Sequence, residues 1–158
     1  MANTQSMCTS FMRELMTATH NFGTAPTRGS GVADTFYAAL YLASATVDAS
    51  TTAYSSTGEV TGTNYTPGGV VVTNATAPSS SNTSTTAGVA YWTPSASITY
   101  TNVTLTTAFD AVLIYNSTQS NKAVSVHTFG SQTVTSGTFT LTMPSNTTST
   151  ALLRLATT

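Results

Sequence analysis

Asp110–Gly130, DAVLIYNSTQSNKAVSVHTFG, is the stretch whose reading decides the fold. Ala111–Tyr115 is an unbroken apolar run rich in β-branched and aromatic residues, and it stops at the polar Asn116-Ser117-Thr118-Gln119-Ser120-Asn121. From Lys122 a second run begins, in which Val124 and Val126 alternate with Ser125 and His127. An unbroken run fits a strand buried on both faces, and strict alternation fits a strand with one face exposed. The spacing therefore predicts a hairpin, a central strand beside a more exposed neighbour, closed by a loop of about six residues.

Working outward, the C-terminal side offers two more strands, Ser136–Met143 with Phe139, Leu141 and Met143 alternating, and Thr150–Ala156. On the N-terminal side lie Ile98–Thr106 and Gly88–Trp92, with the side chains of Ile98–Thr106 changing face around Thr101-Asn102. Ala75–Thr86, ATAPSSSNTSTT, has nothing to bury and reads as an exposed loop. Val70–Thr73 follows the turn signal Pro67-Gly68-Gly69. Tyr54–Thr66 reads as a loop anchored by Tyr54 and Tyr65, and Asp48–Thr52 as a short helical turn opened by its aspartate. In Asp34–Ala43, Phe36, Ala38 and Leu40 take one face of a strand and Tyr37, Ala39 and Tyr41 the other. Thr4–His20 is the one convincing helix, with Met7, Cys8, Phe11, Met12, Leu15 and Met16 on a broad apolar stripe and Arg13 and Glu14 off it. His20 falls at its C-terminal end, where the helix dipole favours a cation.

About eight short strands behind one helix predict a mainly β protein, an antiparallel β-sandwich or jelly-roll-like domain. The expected organisation is a single β domain over 1–158, with the helix in 1–22 and the sandwich in 34–158.

Charged residues make up only 6 % of the 158 residues and the net charge is −1. Ser and Thr, roughly a third of the chain, take their place. Charge depletion marks the cores of interfaces, which points to a subunit of an assembly. The four basic residues, Arg13, Arg28, Lys122 and Arg154, are scattered, whereas a nucleic-acid surface needs them clustered. A lone Cys8 excludes an internal disulfide, and no apolar run approaches the ~18 residues of a membrane helix. No leader-like segment opens the chain, so synthesis in a cytoplasm is expected.

Motifs for chemistry are missing. Ser, His127 and Asp110 can be drawn as a triad, but no nucleophile elbow supports it. The acids Asp34, Asp48, Glu59 and Asp110 supply no spacing that selects a glycosidase pair, and no metal-ligand pattern occurs. The expectation is a non-enzymatic protein with no cofactor. Tyr91-Trp92 is the best candidate for aromatic stacking on a glycan, although a single Trp in a β domain more often belongs to the core.

Several blocks together resemble a family of small tailed-bacteriophage virion structural proteins. They are Ser6–Phe11 with Glu14-Leu15, Asp34–Phe36 with Ala39–Tyr41, Ala45–Tyr54, Gly58–Val60, Gly62–Gly69, Leu113–Ser117, Ser120–Val124 with Phe129-Gly130, Gly137–Thr140 and Leu153–Ala156. The resemblance implies a virion structural protein, and together with the charge-poor β domain and the helix face it leads to a capsid cement or decoration protein, bound to the major capsid protein and to copies of itself. The scattered basic residues and short apolar runs lead to no nucleic acid or membrane partner. A tail, baseplate or fibre component, including a receptor- or glycan-binding module, is the alternative. Candidate contact residues are Met7, Phe11 and Met12 on the helix, Arg28 in its loop, and Asn116, Asn121 and Lys122 at the hairpin turn.

Overall fold

The computed structural model describes residues 2–16, 18–22, 33–74, 77–83 and 86–156. It is a mainly β structure of two antiparallel sheets with one short N-terminal helix, as the strand spacing predicts. The five-stranded sheet has the order β1-β7-β6-β2-β3, built from β1 (Ser6–Met7), β2 (Phe36–Leu42), β3 (Val70–Val71), β6 (Ile98–Asn116) and β7 (Lys122–Leu141). The three-stranded sheet is β4 (Ser79–Thr83), β5 (Thr86–Trp92) and β8 (Leu153–Ala156), in the order β4-β5-β8. Trp92 joins the two cores: its indole meets Phe22 edge-on at 4.8 Å, and Phe22 stacks on Phe36 of β2 at 4.4 Å.

The opening hairpin is the spine of the larger sheet, but it is longer than the alternation suggests. Ile98–Thr106 and Ala111–Tyr115 are one strand, β6, and the strands read at Lys122 and Ser136 are likewise one, β7. Register shifts between Leu105 and Ala111, around Phe109, explain the difference, and the change of face read at Thr101-Asn102 coincides with a further shift between Tyr100 and Val103. A bulge inserts a residue and resets the phase of alternation, so a continuous strand reads as two. Asn102, at a left-handed φ of 54°, marks one such bulge. Ile98, Tyr100, Val103 and Leu105 are all buried, so this bulge keeps them in the core instead of turning the last two outward.

Four further expectations change. The helix α1 covers only Thr9–Met16. Ser6 and Met7 are strand, paired with Val126 and Ser125, because β7 offers them a free edge. At the other end Ala18 takes φ 53° and the Thr19 N–H reaches back to the Glu14 carbonyl at 2.8 Å, a left-handed helix stop. His20 thus lies past the helix, not on its last turn. The Ser-rich part of Ala75–Thr86 is not a loop: Ser79–Thr83 forms β4 and pairs with β5, with Ser79, Ser80 and Ser81 exposed. Asp48–Thr52 is a turn without a helix, in which the Asp48 carboxylate accepts from the Ser50 N–H at 2.8 Å and its hydroxyl at 2.6 Å. Val70–Thr73 pairs only over Val70 and Val71.

The face pattern of β2 is also more buried than its alternation, since Phe36 and Ala38 through Tyr41 are all buried. The exposed-neighbour reading of β7 holds for its second half alone. Ser125 is buried with Val124 and Val126, because β1 extends the sheet beside them and residues 151–154 approach that face.

Candidate functional site

A chain with so few charges keeps each for a reason, and three of its five acids are buried: Glu14, Asp34 and Glu59. Two of them meet at the hairpin turn. Asn116, the last residue of β6, is wholly buried and donates one amide N–H to Asp34 Oδ2 at 2.8 Å and the other towards His20 Nδ1 at 3.0 Å. Its Oδ1 accepts the Gln119 backbone N–H at 3.2 Å, which fixes the start of the turn. Asp34 also accepts the Asn21 backbone N–H at 2.8 Å and the Gln119 side-chain amide at 3.2 Å. On the far side of the imidazole, His20 Nε2 lies 2.8 Å from Glu14 Oε2, and Lys122 Nζ donates to Glu14 Oε1 at 2.9 Å.

Hydrogen-bond logic assigns the protons. Asn116 Nδ2 is a donor, so Nδ1 of His20 accepts and Nε2 carries the hydrogen that faces the Glu14 carboxylate. The ring is therefore neutral. Burial between Phe11, 4.9 Å away edge-on, and Phe36 holds its pKa below the ordinary value, against the pull of Glu14. Burial raises the Glu14 pKa, but the hydrogen bonds from Lys122 and His20 and the Lys122 charge outweigh it and leave the carboxyl below its usual range. The arrangement Lys122–Glu14–His20–Asn116–Asp34 clasps the helix and the strand β2 to the hairpin turn.

Glu59 forms a second enclosed centre. Its Oε1 accepts from the Tyr65 hydroxyl at 2.8 Å and the Gly68 N–H at 2.7 Å, while Oε2 accepts from the Tyr54 hydroxyl at 2.6 Å. Tyr65 in turn accepts the Leu40 N–H of β2 at 3.0 Å, and Tyr115 donates to the Gly68 carbonyl at 2.9 Å. Burial, reinforced by the Glu59 charge, drives these phenols upward, Tyr115 to about 12. They act as neutral donors that pin the 54–69 loop to the sheet, as the anchoring reading of Tyr54 and Tyr65 expects.

The residues of the drawn triad part company. His127 Nε2 lies 2.9 Å from the hydroxyl of Ser125, two residues back on the same strand. Asp110 is instead held by Asn3, whose amide donates to its Oδ1 at 2.5 Å. Burial takes the His127 pKa down to about 4, which leaves a poor base at neutral pH. Among the described residues no group of three His, Cys, Asp or Glu side chains is placed to hold a metal ion. No helix among them is long and apolar enough to cross a membrane.

The contact candidates are dispersed. Phe11 is in the core and Met7 half-buried beside it, whereas Met12 is 46 % exposed. Asn116 is buried and Asn121 exposed in the turn, where its carbonyl accepts the Tyr54 N–H at 2.9 Å. Lys122 is half-buried over Glu14, and Arg28 lies outside the described residues. Trp92 is buried, so Tyr91-Trp92 presents no exposed aromatic pair. Glu14, placed off the helix stripe by its spacing, is one of the most enclosed side chains. Its partners lie up to 108 residues away, beyond any local signal.

Both histidines should make the fold acid-sensitive. Each titrates near 6.5 when unfolded and lower when folded. The unfolded chain therefore binds more protons below pH 6.5, and stability falls as pH drops. For His127 the loss runs from pH 6.5 to about 4 and amounts to ~3 kcal/mol. Glu14, lowered from 4.5, adds loss of the same sign below that value. Urea unfolding at pH 7.5 and 4.5 should show this drop, and His127→Gln should shrink it by the His127 share. A pH-independent midpoint would refute the neutral-histidine assignment.

The chain matches no family model, and comparison with curated proteins and with solved structures likewise finds no match.

Proposed function

We propose that this protein is a non-enzymatic structural component of a tailed-phage virion, a cement protein that binds assembled capsid protein and reinforces the junctions between capsomers. The observation that supports a passive role is the use of its charges. Glu14, Asp34 and Glu59 are buried and engaged by the chain's own donors, so they hold the fold together instead of facing a cleft. What remains outward is largely hydroxyl and backbone, suited to many weak contacts repeated by symmetry. The blocks that resemble phage virion proteins support the same reading, and they include the helix, Glu59 and hairpin turn that form the two buried centres.

Particles assembled without the protein should form and package normally but open at lower temperature, and added protein should restore their heat resistance. Loss of adsorption to cells, with heat resistance unchanged, would instead assign it to the tail or fibre and overturn the cement reading.

A further inference from the structure

The two halves of β7 differ in their neighbours. Near the turn the strand lies between β6 and β1, but β1 pairs only with Ser125 and Val126. Beyond them no strand among the described residues pairs with the outer edge of β7, which continues to Leu141. This edge carries two further marks. From Ala123 to Leu153 the sequence contains no Asp, Glu, Lys or Arg, whereas exposed edges are ordinarily blunted by charge. The apolar row on its inner face is also incompletely covered: Val134, Phe139 and Leu141 pack on the core but remain half-exposed.

We propose that the outer edge of β7 over Gly137–Leu141 pairs antiparallel with the same segment of a second copy, about a two-fold axis perpendicular to the sheet.

The geometry supports this segment and this partner. Ser136, at a left-handed φ of 47°, and the upstream register shifts interrupt the strand, and irregular edges resist pairing. From Gly137 to Leu141 the strand runs without interruption; the extra residue of the neighbouring bulge sits on β6. The segment GTFTL is amphipathic with period two, Thr138 and Thr140 exposed outward and Phe139 and Leu141 turned to the core. A two-fold centred on Phe139 sets that ring against its own copy and Thr138 against Thr140. Paired residues of antiparallel strands share a face, so apolar meets apolar and hydroxyl meets hydroxyl. Such self-pairing sets Phe139 on Phe139 and Thr138 on Thr140, positions where like charges would repel and none is present. New backbone bonds would form while the half-exposed row is buried, the usual logic of strand addition.

The inference concerns contacts between copies and does not depend on the virion reading. Its test is sedimentation of the purified full chain over a range of concentrations. The wild type should show a monomer–dimer equilibrium. Thr138→Lys with Thr140→Lys, and separately Thr138→Glu with Thr140→Glu, should weaken dimerisation by about tenfold or more, since the two-fold brings like charges together. Both positions are exposed, and circular dichroism should show that both variants keep the β fold. An equal mixture of the two should dimerise again as a heterodimer. A monomeric wild type, a charged variant that dimerises like wild type, or a mixture that stays monomeric would each overturn the proposal.

Discussion

Glu59→Ala is expected to leave the chain largely unfolded at neutral pH. The substitution strips the acceptor from two tyrosine hydroxyls and the Gly68 N–H at one stroke. Each buried donor left without a partner costs about 1–3 kcal/mol, so the sum approaches the ~5–15 kcal/mol that holds a typical domain folded. Glu59→Gln separates this from a simple loss of charge. Its amide oxygen can keep the bonds from Tyr65 and Gly68, while its NH2 donates to the Tyr54 hydroxyl, which also accepts. The Gln variant should therefore lose only ~1–2 kcal/mol in urea unfolding, a modest shift of midpoint. Similar midpoints for the Ala variant and the wild type would show that the carboxylate does not hold the loop.

Gly69→Ala should be as severe, for a backbone reason. Gly69 sits at φ 80°, and a Cβ there would run into the Ala38 carbonyl of β2. The obstacle is backbone, so relief requires β3 to move away from β2. Strain at a left-handed φ adds ~1–2 kcal/mol to that loss of packing. Hydrogen exchange should show Val70 and Val71 unprotected in any folded fraction, with a total cost of about 4 kcal/mol or more. Gly130→Ala is the matched control. Its φ is not left-handed, and the nearest atom to an added Cβ is the end of the Gln132 side chain at 4.0 Å. Stability there should change by less than about 0.5 kcal/mol, because nothing is displaced. Equal losses at the two glycines would sink the argument.

Much of the fold was legible where alternation ran unbroken. β2, the second half of β6 and the start of β7 follow from their apolar residues, as does the turn between them. The change of face read at Thr101-Asn102 is the bulge at Asn102, but legibility failed around Phe109, where the phase reset was read as a break between strands. It failed again at Ser79–Thr83, a strand made by pairing alone: the SSSNT run has no apolar face to betray it. Met7 and Cys8 misled in the opposite sense. They continue the helical spacing of Phe11 and Leu15, yet Ser6 and Met7 belong to the sheet. Of the buried centres, only the two tyrosine anchors were visible. Glu14, His20, Asp34 and Asn116 are isolated in sequence and meet through tertiary contacts. The one available signal was scarcity, since an acid retained in a chain almost devoid of charge tends to have a fixed partner.

The clasp at the hairpin turn also orders events in time. Glu14 must wait for Lys122, 108 residues further along, and Cys8 bonds through its N–H to the Val124 carbonyl. At a synthesis rate of about 5–20 residues per second, roughly 5–20 s separate the emergence of Glu14 from that of Lys122. Throughout that interval Phe11 and Cys8 have no completed core to enter. The first helix to be made is among the last elements to dock, and its closure reports that the hairpin has already formed.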